Sequence, residues 1–222
     1  MKGKGKVYSF AGAVFVLFLS GVCFAADDGD FQYWNTESVS WEVKDNLKMK
    51  LEEEFRFGNN ADTLYYQHSD IGVTYSGLAS WLSLGINYRQ IFEESGSSWL
   101  KENRPHFNVT AKGDFFDWGL SNRARLEYRN RQDNEDYFRY RNKLTIKTPF
   151  KFTKFSIQPY VADEIFYDFN VETLNRNRLY LGFTSKLFNQ LKANIFYLWQ
   201  SSEKSDKWND ANVLGTKLEF SF

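Results

Sequence analysis

The sequence predicts an all-β protein, a transmembrane antiparallel up-and-down β-barrel of roughly 10–12 strands, and three observations lead to it. Apolar and polar residues alternate with a period of two along most of the 222-residue chain. A short secretory segment precedes them, and turn residues separate the alternating segments at regular intervals. Together these features predict strands that cross an outer membrane.

Composition excludes several other classes of protein. The chain holds 28 basic and 28 acidic groups and is 19% aromatic, unlike a disordered polyelectrolyte or a basic nucleic-acid binder. One cysteine excludes a disulfide framework, and two histidines leave little material for a metal site. We therefore expect no metal, no cofactor and no nucleic-acid partner.

Residues 1–25 have the composition of a signal peptide. Lysines at positions 2, 4 and 6 precede an apolar run that ends with the small residues Cys23 and Ala25. The rest of the chain has no apolar run near the roughly 20 residues of a membrane-spanning helix. We expect cleavage after Ala25, a barrel domain over 26–222 and an outer-membrane location in a Gram-negative bacterium.

The strands are predicted from strict alternation, which is clearest over 47–57. There leucine, methionine and phenylalanine alternate with lysine, glutamate and arginine, whereas a helix would place both kinds on every face. Single-chain barrels usually have an even number of strands, so ten and twelve both stay open. Pro159 and the lipid-side parity of Asp163 indicate a bulge between them. The eleven alternating segments cover about 33–43, 47–57, 65–75, 82–89, 106–112, 120–131, 138–146, 155–167, 176–187, 192–201 and 212–222.

Turn residues fall into two alternating length classes, which is typical of an outer-membrane barrel with short periplasmic turns and long outer loops. Short turns are predicted around 44–46, 76–78, 113–114, 148–149 and 188–189. Longer polar loops are predicted over 58–62, 93–103, 132–136, 168–175 and 202–210.

The apolar face of a membrane barrel points outward and the polar face lines the lumen. By parity the polar face carries a clear excess of basic residues. Trp41, Trp81, Trp118 and Trp199 would form aromatic girdles, although packing between strands explains them as well.

The last strand ends on an aromatic residue. Leu214, Leu218, Phe220 and Phe222 share one face, which resembles the carboxy-terminal signal of bacterial outer-membrane barrels. This resemblance implies two partners, the lipid of the outer membrane and the barrel assembly machinery, which reads the strand ending at Phe222.

Basic side chains follow one another on two adjacent predicted strands, 120–131 and 138–146. Like charges on neighbouring strands repel, so they need carboxylates across the lumen or an anion passing through it. Guanidinium groups bind carboxylates and phosphates with two hydrogen bonds, which favours a narrow pore for anionic solutes. The candidate pore-lining residues are Arg89, Arg123, Arg125, Arg129, Arg139, Arg141, Lys143, Arg176 and Arg178.

The alternative is a non-conducting barrel, in which acidic residues tie these cations together and the role is structural or partner-binding. About eight strands give a lumen filled by side chains and sixteen to eighteen leave a channel, so a barrel of 10–12 strands is compatible with either a filled or an open lumen. The candidate acidic partners are Glu52, Glu54, Glu127, Glu164 and Glu219.

Two resemblances bear on the chain as a whole. The arginine tracks resemble those of small monomeric porins, twelve-stranded barrels that pass acidic oligosaccharides. The segments 51–57 and 159–166 resemble a family of bacterial barrel proteins catalogued only as a domain of unknown function, over nearly the whole mature chain. The first implies a solute pore, and the second implies a fold without an activity.

An outer-membrane lipid hydrolase is the third hypothesis. Such enzymes resemble one another in a histidine and a serine held close together on the lipid-facing side. His68 and Ser69 are adjacent and so point to opposite faces of a strand, and His106 has no nucleophile beside it in the sequence. We therefore expect no catalytic residue and no enzyme activity.

Overall fold

A computed structural model describes residues 29–204 and 207–222, which form a closed barrel of eleven strands. The predicted all-β barrel is confirmed, whereas the predicted signal peptide, 1–25, lies outside the described residues. In the described part of the chain no helix is long and apolar enough to cross a bilayer. The strands are β1 Asp30–Lys44, β2 Leu47–Gly58, β3 Thr63–Ala79, β4 Leu82–Ser95, β5 Ser98–Phe115, β6 Trp118–Arg131, β7 Tyr137–Lys147, β8 Gln158–Asp168, β9 Thr173–Lys186, β10 Leu191–Lys204 and β11 Lys207–Ser221.

An odd number of strands closes the barrel through one parallel pair. All sequential neighbours are antiparallel, but β1 runs parallel to β11 from Asp30 opposite Ala211 to Ser40 opposite Ser221. The described chain therefore starts at one rim of the barrel and ends at the other. The amino rim holds the start of β1 and connections 59–62, 96–97, 132–136 and 169–172. The carboxy rim holds connections 45–46, 80–81, 116–117, 148–157 and 187–190, together with Phe222.

The prediction of two alternating loop classes is wrong. The predicted loop 93–103 is mostly strand, because Glu94 pairs with Trp99 and Ser95 with Ser98 in a tight hairpin. Conversely, the predicted short turn 148–149 is part of the connection 148–157, since β8 begins only at Gln158. Backbone pairing does not require apolar side chains, so polar composition alone did not mark the ends of these strands.

The predicted bulge between Pro159 and Asp163 is also wrong. The register of β8 with β7 is continuous from Tyr160 to Asp168, and its register with β9 shifts only between Phe166 and Tyr167. Asp163 does keep the outward parity, and its carboxylate accepts a 2.8 Å hydrogen bond from Asn177 Nδ2. A hydrogen bond from the neighbouring strand thus stabilises this outward-facing carboxylate, and the strand register does not change.

Exposure along the strands shows that the barrel is apolar outside and polar inside. Large apolar side chains are exposed on the outer face, such as Ile86 at 70% and Leu181 at 58%, whereas the lumen-facing Glu127 is fully buried. Trp81 and Trp118 lie exposed at the carboxy rim. This distribution is the inverse of that in a water-soluble barrel.

One sector of the lumen wall is apolar. Val213 of β11 and Leu198 of β10 are fully buried there beside Phe196, whose ring lies directly on Gly215. A Cβ atom at position 215 would lie 2.0 Å from Cζ of that ring, so a side chain has no room. The remaining lumen wall, mainly β2–β7, carries most of the charged groups. The whole apolar cluster consists of Trp34, Tyr160, Ala162, Tyr180, Leu198 and Val213, with Phe196 against it.

A single carboxylate fixes connection 132–136 at the amino rim. Asp136 accepts hydrogen bonds from the backbone N–H of Arg131 at 2.9 Å, from Asn130 Nδ2 at 2.7 Å and from the Tyr128 hydroxyl at 2.9 Å. These donors stabilise the ionised form and hold the pKa of Asp136 below its ordinary value. The turn therefore loses this support when Asp136 is protonated.

Candidate functional site

The two arginine-rich strands are neighbours, and their basic side chains meet inside the lumen. Register places Arg125 of β6 opposite Arg141 of β7, and Arg123 opposite Lys143. Like charges at opposed positions destabilise a strand pair unless a counter-charge lies between them. Carboxylates of the chain itself supply that charge.

Glu127 is the centre of the largest ion-pair cluster. Its carboxylate accepts hydrogen bonds from Arg139 Nε at 2.9 Å and Nη2 at 2.6 Å, and from Arg141 Nη1 at 2.8 Å. Arg125 Nη1 lies 3.4 Å away and Arg104 Nη1 3.8 Å away, and the Glu127 side chain is fully buried. One carboxylate thus serves four guanidinium groups where water cannot screen their charge.

Glu164 extends the cluster from β7 to the neighbouring strand β8. It accepts hydrogen bonds from Arg141 Nη2 at 2.8 Å, from Arg123 Nη2 at 2.9 Å and from the Tyr180 hydroxyl at 3.0 Å. Arg178 Nη1 lies 3.9 Å away. Because Arg141 bonds both Glu127 and Glu164, the two carboxylates belong to one network.

A second network lies on β2–β4. Arg89 Nε donates to Asp70 at 2.8 Å, and its Nη2 lies 3.4 Å from Glu52. Glu52 also receives Lys50 Nζ at 2.6 Å and Lys217 Nζ at 2.8 Å, the latter reaching across β1 from β11. The carboxylate of Glu52 therefore joins β4 and β11 to β2.

Two further predicted acidic residues make simpler contacts. Glu54 bonds Arg56, with Nη2 at 2.6 Å, and Glu219 lies 3.5 Å from Lys217 Nζ. Arg176, a predicted pore-lining residue, donates from Nε to the Ser202 hydroxyl at 2.9 Å. All these side chains have the parity of the lumen face.

Glu102 is a site residue that sequence reasoning missed. Arg129 bonds it with two parallel hydrogen bonds, Nε to Oε1 at 2.8 Å and Nη2 to Oε2 at 2.6 Å, and Arg104 Nε donates at 2.6 Å. Glu102 was overlooked because it fell in the stretch predicted as loop 93–103. The signal that could have found it is the alternation of Glu102, Arg104 and His106 with Asn103 and Pro105.

Arginine and aromatic side chains stack across the amino half of the lumen. The Arg56 guanidinium lies 3.8 Å from the ring centroid of Trp34 and 4.1 Å from that of Tyr66. Arg178 lies 4.8 Å from Trp34 and 4.9 Å from Phe166. Trp34, Tyr66, Phe166 and Arg178 are all at most 4% exposed. We call Trp34, Arg56, Tyr66, Phe166 and Arg178 the arginine–aromatic plug.

The lumen opens toward the carboxy rim. A cavity of about 290 Å³ lies against the plug, and a wider one of about 810 Å³ continues to the rim. The two cavities share Lys143, Tyr160, Asn194 and Glu219 in their walls. The wider cavity, here called the basic cup, is lined by six lysines, Lys112, Lys143, Lys147, Lys151, Lys186 and Lys192.

The histidines face the lumen and not a nucleophile. His68 is buried, with its Nε2 3.6 Å from Glu52 and its Nδ1 3.7 Å from Glu54, whereas Ser69 points outward and donates to Glu53 at 2.8 Å. His106 Nε2 lies 3.7 Å from an Asp70 oxygen. Within residues 29–204 and 207–222 no three histidine, cysteine or acidic side chains are grouped as metal ligands.

Comparisons with known proteins identify a family and no activity. None of the curated proteins compared matches the chain. A family model does match residues 31–211, which include most of the barrel from β1 into β11 and all the ion pairs centred on Glu127 and Glu164. The family is described as "Protein of unknown function (DUF2490)", which agrees with the resemblance drawn from segments 51–57 and 159–166. The chain is therefore a member of the DUF2490 family.

Proposed function

We propose that this chain is an outer-membrane barrel with a sealed lumen, a non-conducting membrane module and not a solute pore. The observation that carries the proposal is the arginine–aromatic plug, in which three buried rings and the buried Arg178 pack with Arg56 across the amino half of the lumen. Its role is then to hold a rigid binding or structural surface in the membrane.

The outer face supports the membrane part of the proposal. Exposed side chains such as Ile86, Leu181 and Ile195 would be costly in water but favourable against lipid. Each strand has at least the roughly 9–11 residues that a tilted strand needs to cross a bilayer. The lengths run from 11 residues in β7 and β8 to 18 in β5. Closure through β1 and β11 leaves no unpaired strand edge for lipid to meet.

The ion pairs support the sealed part of the proposal. An anion-selective pore needs cations that face a water-filled path, but Arg139 and Arg141 bond Glu127 directly. Arg123 and Arg141 both bond Glu164 in the same way. We call five arginines of β6 and β7 the arginine ladder; they are Arg123, Arg125, Arg129, Arg139 and Arg141. Each of them is paired with a carboxylate of the chain, so a passing anion would have to displace buried carboxylates.

Single-channel recording in a planar bilayer tests the proposal. Refolded protein, with insertion verified by protease protection in vesicles, should give no stable conductance steps under a salt gradient. The matched control is the double variant Trp34→Ala and Phe166→Ala, which removes two rings of the plug and should conduct. Steady anion-selective steps from the unmodified protein, reduced by Arg125→Ala, would overturn the proposal in favour of a pore.

A further inference from the structure

We propose that the basic cup is a binding site for a soluble anion that carries several clustered phosphate groups. The inference rests on the proposed function in one respect, because the plug supplies the floor that turns the lumen into a cup. The site opens at the carboxy rim, away from the arginine ladder.

The charge of the cup is not balanced by the chain. Among the described residues two acidic side chains line it, Asp114 and Glu219, and Glu219 lies 3.5 Å from Lys217, which is not one of the six lysines. None of the six lysines forms an ion pair with a carboxylate in the described part of the chain. Several lysine charges around one cavity raise its potential, and low-dielectric walls concentrate that potential at the mouth.

The two halves of the lumen differ in how their basic side chains are paired with carboxylates. Each arginine of the ladder has a carboxylate of β5, β6 or β8 within bonding distance, as Arg129 has Glu102. Five of the six lysines lie nearer the carboxy rim, on β5, β7, β9, β10 and connection 148–157, and Lys143 lies opposite Arg123 where the two cavities meet. Counter-charge is thus built into the amino half and left out of the carboxy half, where a ligand can supply it.

The chemistry of the lining matches clustered phosphate groups. Lysine is a compact charge on a flexible stem, which suits several phosphates at variable spacing better than one planar carboxylate. Neutral donors lie between the lysines and can bond phosphate oxygens, among them Ser121, Thr145 and Asn194. The volume of about 810 Å³ is in the range of small-molecule sites.

The position of the cup favours a soluble anion over a lipid headgroup. The cavity lies inside the ring of strands, and β7 and β9 continue along its wall to Lys147 and Lys186 at the rim. The acyl chains of a lipid whose headgroup occupied the cup would have to cross a continuously hydrogen-bonded wall. A ligand that enters from water at the rim meets no such obstacle.

Isothermal titration calorimetry with the refolded full chain in zwitterionic micelles tests the assignment. Sodium tripolyphosphate should bind with one site per barrel and weaken as salt is added, and orthophosphate should bind at least about tenfold more weakly. The triple variant Lys147→Gln, Lys186→Gln and Lys192→Gln should lower the affinity for tripolyphosphate at least about tenfold.

The matched control removes the same charge elsewhere. Lys44→Gln, Lys101→Gln and Lys154→Gln change lysines that do not line the cup, and this variant should keep the affinity. Absence of binding, or an equal loss in both triple variants, would overturn the site. Tighter binding of water-soluble dioctanoyl phosphatidic acid than of tripolyphosphate would overturn the assignment to a soluble anion. Both triple variants are first checked for folded migration in unheated gels. Conductance is recorded separately, so that a failure of the proposed binding site can be distinguished from a failure of the proposed sealed lumen.

Discussion

Replacing Glu127 by glutamine is the most direct test of how the lumen is held together. The change keeps the size and shape of the side chain but removes the single negative charge between Arg139, Arg141, Arg125 and Arg104. If the arginine ladder is tied from within, Glu127→Gln should lower the free energy of unfolding strongly.

The expected magnitude follows from the contacts. Oε2 accepts both bonds from Arg139, and Oε1 accepts those from Arg141 and Arg125. A glutamine keeps one acceptor, so one set of donors faces an amide NH₂ group that itself donates. Removing one partner of a buried ion cluster costs about 3–5 kcal/mol, because the remaining charges stay buried without compensation.

Urea unfolding in phospholipid vesicles, followed by tryptophan fluorescence and by gel migration of unheated samples, measures the loss. The control is Glu53→Gln on β2, because Glu53 points outward, is exposed and accepts a hydrogen bond from Ser69. That variant should unfold within about 1 kcal/mol of the unmodified protein. The internal ion pairs would not hold the barrel together if Glu127→Gln matched Glu53→Gln.

Two further changes test other parts of the barrel. Gly215→Ala should lower the free energy of unfolding by about 1–3 kcal/mol in the same assay, because its Cβ would lie 2.0 Å from the Phe196 ring. Adding Phe196→Leu should restore part of the loss. An unchanged stability in Gly215→Ala would mean that the Phe196 ring is not fixed against Gly215. Glu37 lies opposite Glu53 on the outer face, so Glu37→Leu should raise stability in vesicles by about 1 kcal/mol, since lipid disfavours adjacent carboxylates. A decrease would show that this face does not contact lipid.

The strands were predictable because their pattern is local. Alternation over 47–57 and 138–146 fixes both the strand and its faces, and the structure places β2 and β7 there. The ends were less predictable: the pairing of Glu94 with Trp99 depends on the partner strand, not on the polarity of either residue. The parallel closure of β1 on β11 was not predictable, because it joins segments at opposite ends of the chain.

The lumen contacts were only partly predictable for a related reason. Parity alone placed Arg125 and Arg141 on the same face of neighbouring strands, and the structure shows that they lie opposite each other. Parity did not predict that Glu127 contacts four arginines. Three of these arginines lie on β5 and β7, and the sequence does not fix the register of those strands relative to β6. The plug was missed because Trp34 and Phe166 interrupt a polar face, and only closure brings β1 opposite β8.

The excess of basic residues on the inner face favours a different function once the two halves of the lumen are considered separately. Taken as one total, it favoured an anion path along the arginine ladder. In the structure each arginine of the ladder lies within 4 Å of Glu102, Glu127 or Glu164, whereas the lysines around the cavity at the carboxy rim form no such pair in the described residues. A pore would need uncompensated charge along the whole axis, whereas a cup with a closed floor needs it at one end only. The arrangement of charge, more than its sum, therefore favours anion binding over anion passage.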